Sequence, residues 1–216
     1  MTPPPAPPRR ASPSTVRRLS LYLRALDTLA AEGVGTVSSQ GLAERSGTTP
    51  AQVRKDLSLF GSFGRRGMGY EVPDLLHRVR AILGLDRRWP VALVGAGRIG
   101  SALFAYPLFR ERGFEIRAVF DNDPAKIGSC REGLEVRPVT ELPCLIRERG
   151  IEIGIITVPA HAAQAIATVL VESGVRGILN FAPTRLHLPP EIEVNEVSLS
   201  MELEALSFAL AARERP

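Results

Sequence analysis

Apolar positions along the first eighty-odd residues follow a helical period. Val16, Leu19, Leu23, Leu26 and Ala30 recur at spacings of 3, 4, 3 and 4, which is one face of a helix. Ser12 as N-cap with Pro13 at the first helical position starts it, and Gly33 ends it. Between Ser38 and Phe60 the pattern shortens to helix, turn, helix: Leu42 and Ala43 mark the first, Gly47 the turn, and Thr49 with Pro50 the start of the second. Val53, Leu57 and Phe60 give that second helix its buried face, so Ala51, Lys55 and Ser58 point away, with Gln52 and Arg54 on the flanks. Leu75, Val79 and Leu83 predict a further helix from Val72 to Gly84. From Val91 onward the pattern changes to short continuous apolar runs, 91–94, 114–120, 151–157 and 175–180, separated by helix-period stretches near 142–149 and 161–173. Shorter extended pieces fall near 134–139 and 192–197. Strands alternating with helices predict a parallel α/β sheet. The last segment, Leu199 to Arg213, carries two apolar stripes: Leu199, Leu203, Leu206 and Leu210, and Met201, Ala205, Phe208 and Ala212. A helix apolar on two faces needs two surfaces. Its own domain covers part of it, so a partner subunit, hence a homodimer, is expected. Burial between two domains of one chain is the alternative.

The expected organisation is therefore α/β. An N-terminal winged-helix domain (13–84) follows a disordered Pro-rich arm (1–12), in which Arg9 and Arg10 are phosphate candidates, and precedes a Rossmann-like, doubly wound parallel sheet domain (85–198) and a C-terminal dimerisation helix (199–216). Residues 85–90 read as a hinge, with Trp89 as a packing residue between domains. The winged-helix reading rests on the segment after the second short helix, Phe60 to Tyr70: Gly61, Gly64, Gly67 and Gly69 permit tight turns, Phe63 and Tyr70 anchor a small ribbon, and Arg65 and Arg66 sit at its tip. Arginine on a narrow tip suits the negative potential of an A·T-rich minor groove. Gln52, Lys55 and Ser58 are placed to reach base edges, and Arg54 to reach phosphate.

Charge supports this division. Residues 1–89 hold 14 Lys and Arg against 7 Asp and Glu, whereas residues 90–216 hold 13 against 16. A basic front half fits a polyanion such as double-stranded DNA, and a nearly neutral back half fits a small molecule. No run of 18 apolar residues and no apolar leader occurs, so neither a membrane span nor a secretory signal is expected and the protein is placed in the cytoplasm. Cys130 and Cys144 lack CxxC spacing and read as ordinary reduced thiols, with no metal site.

The back half carries its chemistry in PVALVGAGRIGSAL, residues 90–103. Gly95, Gly97 and Gly100, with Ala96, Arg98 and Ile99 between them, have the GxGxxG spacing that brings backbone close to a pyrophosphate. Asp121 ends the next strand 21 residues after Gly100, where an acid accepts from a ribose 2′-hydroxyl. Together these predict an NAD(H) site, against the plainer reading that the glycines serve strand–helix packing. Lys126 lies near the adenosine end, and Thr157, Val158 and Pro159 leave a strand at its carboxyl edge, where they would line the ribose or nicotinamide side. The NFAP loop, 180–183, lies on the same edge. An NAD-dependent oxidoreductase is the alternative function. Of His77, His161 and His187, His161 alone falls near the nicotinamide side, and the back half leaves no room for a substrate domain. A coenzyme A-binding module is a third reading, which Asp121 argues against.

The motifs VSSQGLAERSG, QVRKDLSLFGSFGRRGMGY, VGAGRIGSAL, FDNDPAKIG, ITVPAHAAQ and GILNFAP make the chain, after its proline arm, resemble the Rex family of redox-sensing transcriptional repressors. The resemblance implies a winged helix on a Rossmann domain, a homodimer with exchanged C-terminal helices, and binding to a palindromic operator that NADH relieves and NAD⁺ permits. It also implies a switch joining a first-helix Arg, a Tyr after the Gly-rich turn and an Asp before the final helix. Arg24 and Tyr106 match the first two, but Ser198 stands where the Asp is expected. Serine hydrogen-bonds a tyrosine but forms no salt bridge with an arginine. Leu199 falls where some relatives place a bulky residue in the partner's nicotinamide pocket.

Overall fold

The computed structural model describes residues 11–64 and 68–214, in a chain that divides into two compact units, Met1–Arg87 and Arg88–Pro216. The first contains α1 (Pro13–Ala31), β1 (Thr36–Val37), α2 (Ser39–Ser46), α3 (Pro50–Ser58), β2 (Tyr70–Glu71) and α4 (Val72–Ile82). Ser12 caps α1 as expected, its Oγ accepting from the Thr15 N–H at 3.2 Å. The buried face differs: Val16 and Ala30 are exposed, and Thr15, Leu19, Tyr22, Leu26 and Leu29 form the inward stripe, with Leu23 and Ala25 beside it. The stripe begins and ends one residue away from the all-apolar pattern because Thr15 and Tyr22 are buried with polar partners. Gly47, at φ 67°, ends α2 in the left-handed conformation, and Thr49 caps α3 by accepting from the Gln52 N–H. Val53, Leu57 and Phe60 are buried as expected.

The ribbon expected within 60–70 takes its partner from elsewhere. Tyr70–Glu71 pairs antiparallel with Thr36–Val37, while Phe63 packs half-buried against the core under the Arg78 guanidinium, 5.6 Å from the ring centroid. Gly69, at φ 79°, lies so close to the Val37 carbonyl that a Cβ would meet its oxygen at 2.6 Å, and a Cβ on Gly64 would overlap the Gly69 oxygen. The loop is thus pinched between two glycines. Arg65 and Arg66, expected at the ribbon tip, and residues 1–10 of the expected arm lie outside the described residues.

The second unit runs β3 (Trp89–Val94), α5 (Arg98–Phe104), α6 (Pro107–Glu111), β4 (Phe114–Asp121), β5 (Cys130–Arg131), β6 (Leu134–Pro138), α7 (Leu142–Glu148), β7 (Ile153–Ile156), α8 (Ala160–Glu172), β8 (Gly177–Asn180), β9 (Glu193–Glu196) and α9 (Leu199–Glu214). The sheet order is β5-β6-β4-β3-β7-β8-β9, with β5 antiparallel and the other pairings parallel. Counting the parallel strands along the chain, the order is 3-2-1-4-5-6, that of a doubly wound dinucleotide-binding sheet. The order in which strands are added reverses between β3 and β7, which run parallel. Two residues of the expected hinge belong to the sheet, since Trp89 and Pro90 pair with Phe114 and Glu115. The helix after the Gly-rich turn breaks at Tyr106, because Pro107 disfavours helical backbone in the residue before it.

Candidate functional site

At the carboxyl end of β3 the three glycines take different tasks. Gly95 has φ 104°, and a Cβ there would stand 2.8 Å from Thr157 Oγ1. A Cβ on Gly100 would overlap the Gly95 carbonyl oxygen, so this glycine lets α5 pack on the strand. Gly97, in contrast, has nothing within 4 Å of an added Cβ. It begins α5 with no side-chain cap, leaving open backbone where a phosphate approaches such a turn. The packing reading of the motif therefore applies at Gly95 and Gly100, and Gly97 has no such task. Ala96 is buried, whereas Arg98 and Ile99 are exposed.

Asp121 ends β4 beside this turn and is buried. Its Oδ2 accepts from the Ala96 N–H at 2.7 Å and from Lys126 Nζ at 3.0 Å, and its Oδ1 accepts from the Asp123 N–H at 2.9 Å. Burial pushes the carboxyl up, but the Asp123 N–H, the Lys126 ammonium and the Ala96 N–H outweigh it and hold the group below the ordinary aspartate range. The ion pair in turn raises Lys126. Three of the roughly four acceptor positions of a carboxylate are taken, which leaves one for a ribose hydroxyl. Lys126 is thus bound to the acid rather than free at the adenosine end.

Of the three residues expected along the nicotinamide side, Thr157 is turned inward: its hydroxyl lies 2.7 Å from the Gly95 oxygen and 3.1 Å from that of Val94, latching β7 to the turn. Val158 packs against the core, and Pro159 is exposed before α8. On the neighbouring strand, buried Asn180 accepts from the Ala182 N–H and donates to the Thr184 oxygen, fixing the NFAP loop at the same edge. Cys130 and Cys144 are free and exposed, and no group of metal-ligating side chains occurs among the described residues.

On α3 the outward residues Lys55, Ser58 and Arg54 are exposed. Arg54 Nη1 donates to Ser39 Oγ, and Ser58 Oγ donates to the Lys55 oxygen. Gln52 is half-buried and donates from Nε2 to Asp56 Oδ1 at 2.7 Å. Sequence reasoning passed over Asp56, which is 1% exposed. Its carboxylate takes a bidentate pair from Arg18 (Nε to Oδ2 2.6 Å, Nη2 to Oδ1 2.8 Å) and a hydrogen bond from the Tyr22 hydroxyl at 2.9 Å. The available signal was its inward position, three residues after Val53, facing Arg18 and Tyr22 four residues apart on α1. Burial followed by the Asp56 hydrogen bond pushes the Tyr22 phenol up to about 12, above the ordinary value of about 10. A raised pKa contributes stability that is complete below about pH 10 and is lost as pH rises through the folded value. The first unit is therefore expected to melt at progressively lower temperature above about pH 10. Tyr22→Phe should lower the melting temperature at pH 7 yet flatten this alkaline decline; a parallel decline in both proteins would contradict the assignment.

Arg24 is exposed on α1, and Tyr106 is 47% exposed in the break between α5 and α6, edge-on to Phe109. Ser198 caps α9, its Oγ 3.4 Å from the Met201 N–H. In α9 itself, Leu199, Met201, Leu203, Leu206, Phe208 and Leu210 are all at least 60% exposed. The sequence reading expected its own domain to cover part of this helix, but the chain leaves both apolar stripes uncovered.

Residues 11–58 match a family described as a putative DNA-binding protein N-terminus, and residues 86–184 match one described as a CoA binding domain. A redox-sensing transcriptional repressor Rex from Desulforamulus reducens is 50% identical over 202 residues, covering 94% of this chain and 96% of the relative. The chain belongs to the Rex family of redox-sensing transcriptional repressors. A second Rex, from Carboxydothermus hydrogenoformans, is 53% identical over 195 residues, 90% of this chain and 94% of the relative. Among solved structures, the repressor RSP in complex with β-NAD⁺ and operator DNA superposes with a TM-score of 0.91 at 36% identity, covering 96% of this chain and 95% of that one. RSP in complex with β-NADH gives 0.86 at 34%, with 96% and 97% covered. Family membership makes the chain a regulator rather than an oxidoreductase. No helix among the described residues is long and apolar enough to cross a membrane.

Proposed function

We propose that this Rex-family repressor binds NAD(H) at the Gly95–Gly100 turn and operator DNA through α3 and the 60–70 loop, working on the DNA in the cytoplasm. The operator is held with NAD⁺ or without nucleotide and released by NADH. The observation that carries the reading is Asp121: an ionised, buried acid with one open acceptor position at the carboxyl end of β4, bonded to the Ala96 N–H of the Gly-rich turn. Gly97 leaves the backbone open for the pyrophosphate, and Asp121 takes a ribose hydroxyl. This supports NAD(H) over coenzyme A, despite the description of the family matched by residues 86–184, because a 3′-phosphorylated ribose would meet a carboxylate. Two full-length structural neighbours, moreover, were solved with β-NAD⁺ and β-NADH.

The bound nicotinamide is a cation when oxidised and a neutral ring when reduced. The glycine turn holds the pyrophosphate in both states, so discrimination falls to Val158, Pro159 and the NFAP loop. The uncovered α9 supports a homodimer in which each such helix is buried by the partner. Two α3 helices must lie about 34 Å apart to read half-sites one helical turn apart. Subunit rotation therefore breaks simultaneous docking. A coupling of about 2 to 3 kcal/mol changes operator affinity roughly thirty- to a hundred-fold or more. Ser198 has a hydroxyl where the family places a carboxylate; the hydroxyl can hydrogen-bond a tyrosine such as Tyr106 but forms no salt bridge with an arginine.

The test is at Asp121. Asp121→Ala is expected to weaken NADH binding about ten-fold while weakening NADPH less, because removing the carboxylate also relieves its repulsion of a 2′-phosphate. Titration calorimetry checks this, and equal weakening of both nucleotides would contradict the ribose assignment. Identification of the nucleotide that co-purifies with the wild-type chain separates NAD(H) from coenzyme A.

A further inference from the structure

The four donors converging on Asp56 include one side chain that the helix would otherwise offer to DNA. Arg18 and Tyr22, both on α1, fix the carboxylate in place, and Gln52 is tied to it through Nε2 at 2.7 Å. A carboxylate accepts and does not donate, so the chemistry settles which end of the amide faces it: nitrogen inward, and Oε1 turned away from the negative charge. No partner for Oε1 occurs among the described residues. Gln52 is the third residue of α3, in the first turn, where recognition helices address base edges.

An untethered glutamine presents donor and acceptor together and pairs with both N6 and N7 of adenine. Tethering to Asp56 takes one of the two amide N–H groups and turns Oε1 away from the carboxylate, so the outward edge presents that acceptor with the second N–H beside it. In the major groove the base-edge donors are the amino groups of adenine and cytosine, whereas guanine and thymine offer acceptors that repel an amide oxygen. We infer that Asp56 is a positioning residue that orients the Gln52 amide, making Gln52 a reader of amino-bearing bases, adenine or cytosine, at one base pair of each half-site. Arg18 and Tyr22 hold the orienting carboxylate in register with the scaffold. This rests on the assignment of α3 as the recognition helix.

The experiment begins by selecting preferred duplexes from a random-sequence library with the full-length chain, then measures binding to every single-base-pair variant of the selected site at fixed salt. Wild-type protein should show one base pair per half-site at which an amino-bearing base, adenine with or without cytosine, binds about ten-fold tighter than guanine and thymine. Asp56→Asn, whose amide both donates and accepts, should reduce that preference to within about three-fold while leaving preferences at other base pairs and the salt dependence unchanged. Gln52→Ala, at a half-exposed helix position, should flatten the same base pair and keeps the test decisive if Asp56→Asn does not fold. Preference for guanine or thymine at that base pair, uniform weakening across all duplexes by both variants, or an unchanged profile in Gln52→Ala would each overturn the inference. Failure of the wild-type chain to select any sequence would instead remove the DNA-binding reading beneath it.

Discussion

Gly100→Ala is expected to abolish the response to NADH, with nucleotide affinity falling about a hundred-fold, the equivalent of roughly 3 kcal/mol of forced displacement in a packed turn. The Cβ would overlap the Gly95 carbonyl oxygen and stand 3.0 Å from Thr157 Oγ1. Neither can withdraw cheaply: Gly95 is held by its N–H on the Phe120 oxygen, and Thr157 by its N–H on the Val94 oxygen. The melting temperature of the second unit should fall as well. Gly97→Ala is the control, since its Cβ enters open space at an ordinary φ of −77°. It should leave melting unchanged and weaken NADH by crowding the pyrophosphate. Calorimetry and thermal melting read both variants, and wild-type NADH affinity in Gly100→Ala would contradict the account of the turn.

The second large effect is expected at α9. Its six large apolar side chains are at least 60% exposed in the single chain, and burying each against a partner contributes about 1.5 to 3 kcal/mol. Leu203→Glu together with Phe208→Glu places one charge on each stripe. That variant should be monomeric by light scattering at micromolar concentration and should bind a two-half-site operator about a hundred-fold or more weakly, because joint docking is lost. A dimeric variant with full operator affinity would refute the proposed role of the helix.

The strands of the second unit were legible because a buried parallel strand is a continuous apolar run: 91–94, 114–120 and 151–157 lie at or within about two residues of β3, β4 and β7. The order of those strands follows from handed crossovers and the Gly-rich turn rather than from any run alone. Elements held by pairing were less legible. β1 is two residues long and has no alternation to reveal it, so the partner of Tyr70–Glu71 was hidden. Thr15, Tyr22 and Asp56 were passed over for another reason: their polarity disguised their burial, which depends on hydrogen bonds within α1 for Thr15 and between α1 and α3 for Tyr22 and Asp56. The same holds in the nucleotide turn, where Asp121 was recognisable by spacing but its bonds to Ala96, Asp123 and Lys126 were not. Thr157 was expected along the nicotinamide side, and its hydroxyl is engaged by the Gly95 carbonyl oxygen at 2.7 Å, a bond that spacing alone does not reveal.

The central claim is that one chain couples nicotinamide redox state to operator occupancy. Its most direct test is titration of the full-length protein onto its selected operator at fixed salt, with NADH, with NAD⁺ and without nucleotide. The account predicts that NADH weakens operator binding roughly thirty- to a hundred-fold or more, whereas NAD⁺ leaves it at or above the nucleotide-free value. Equal operator affinity with the two nucleotides would contradict it.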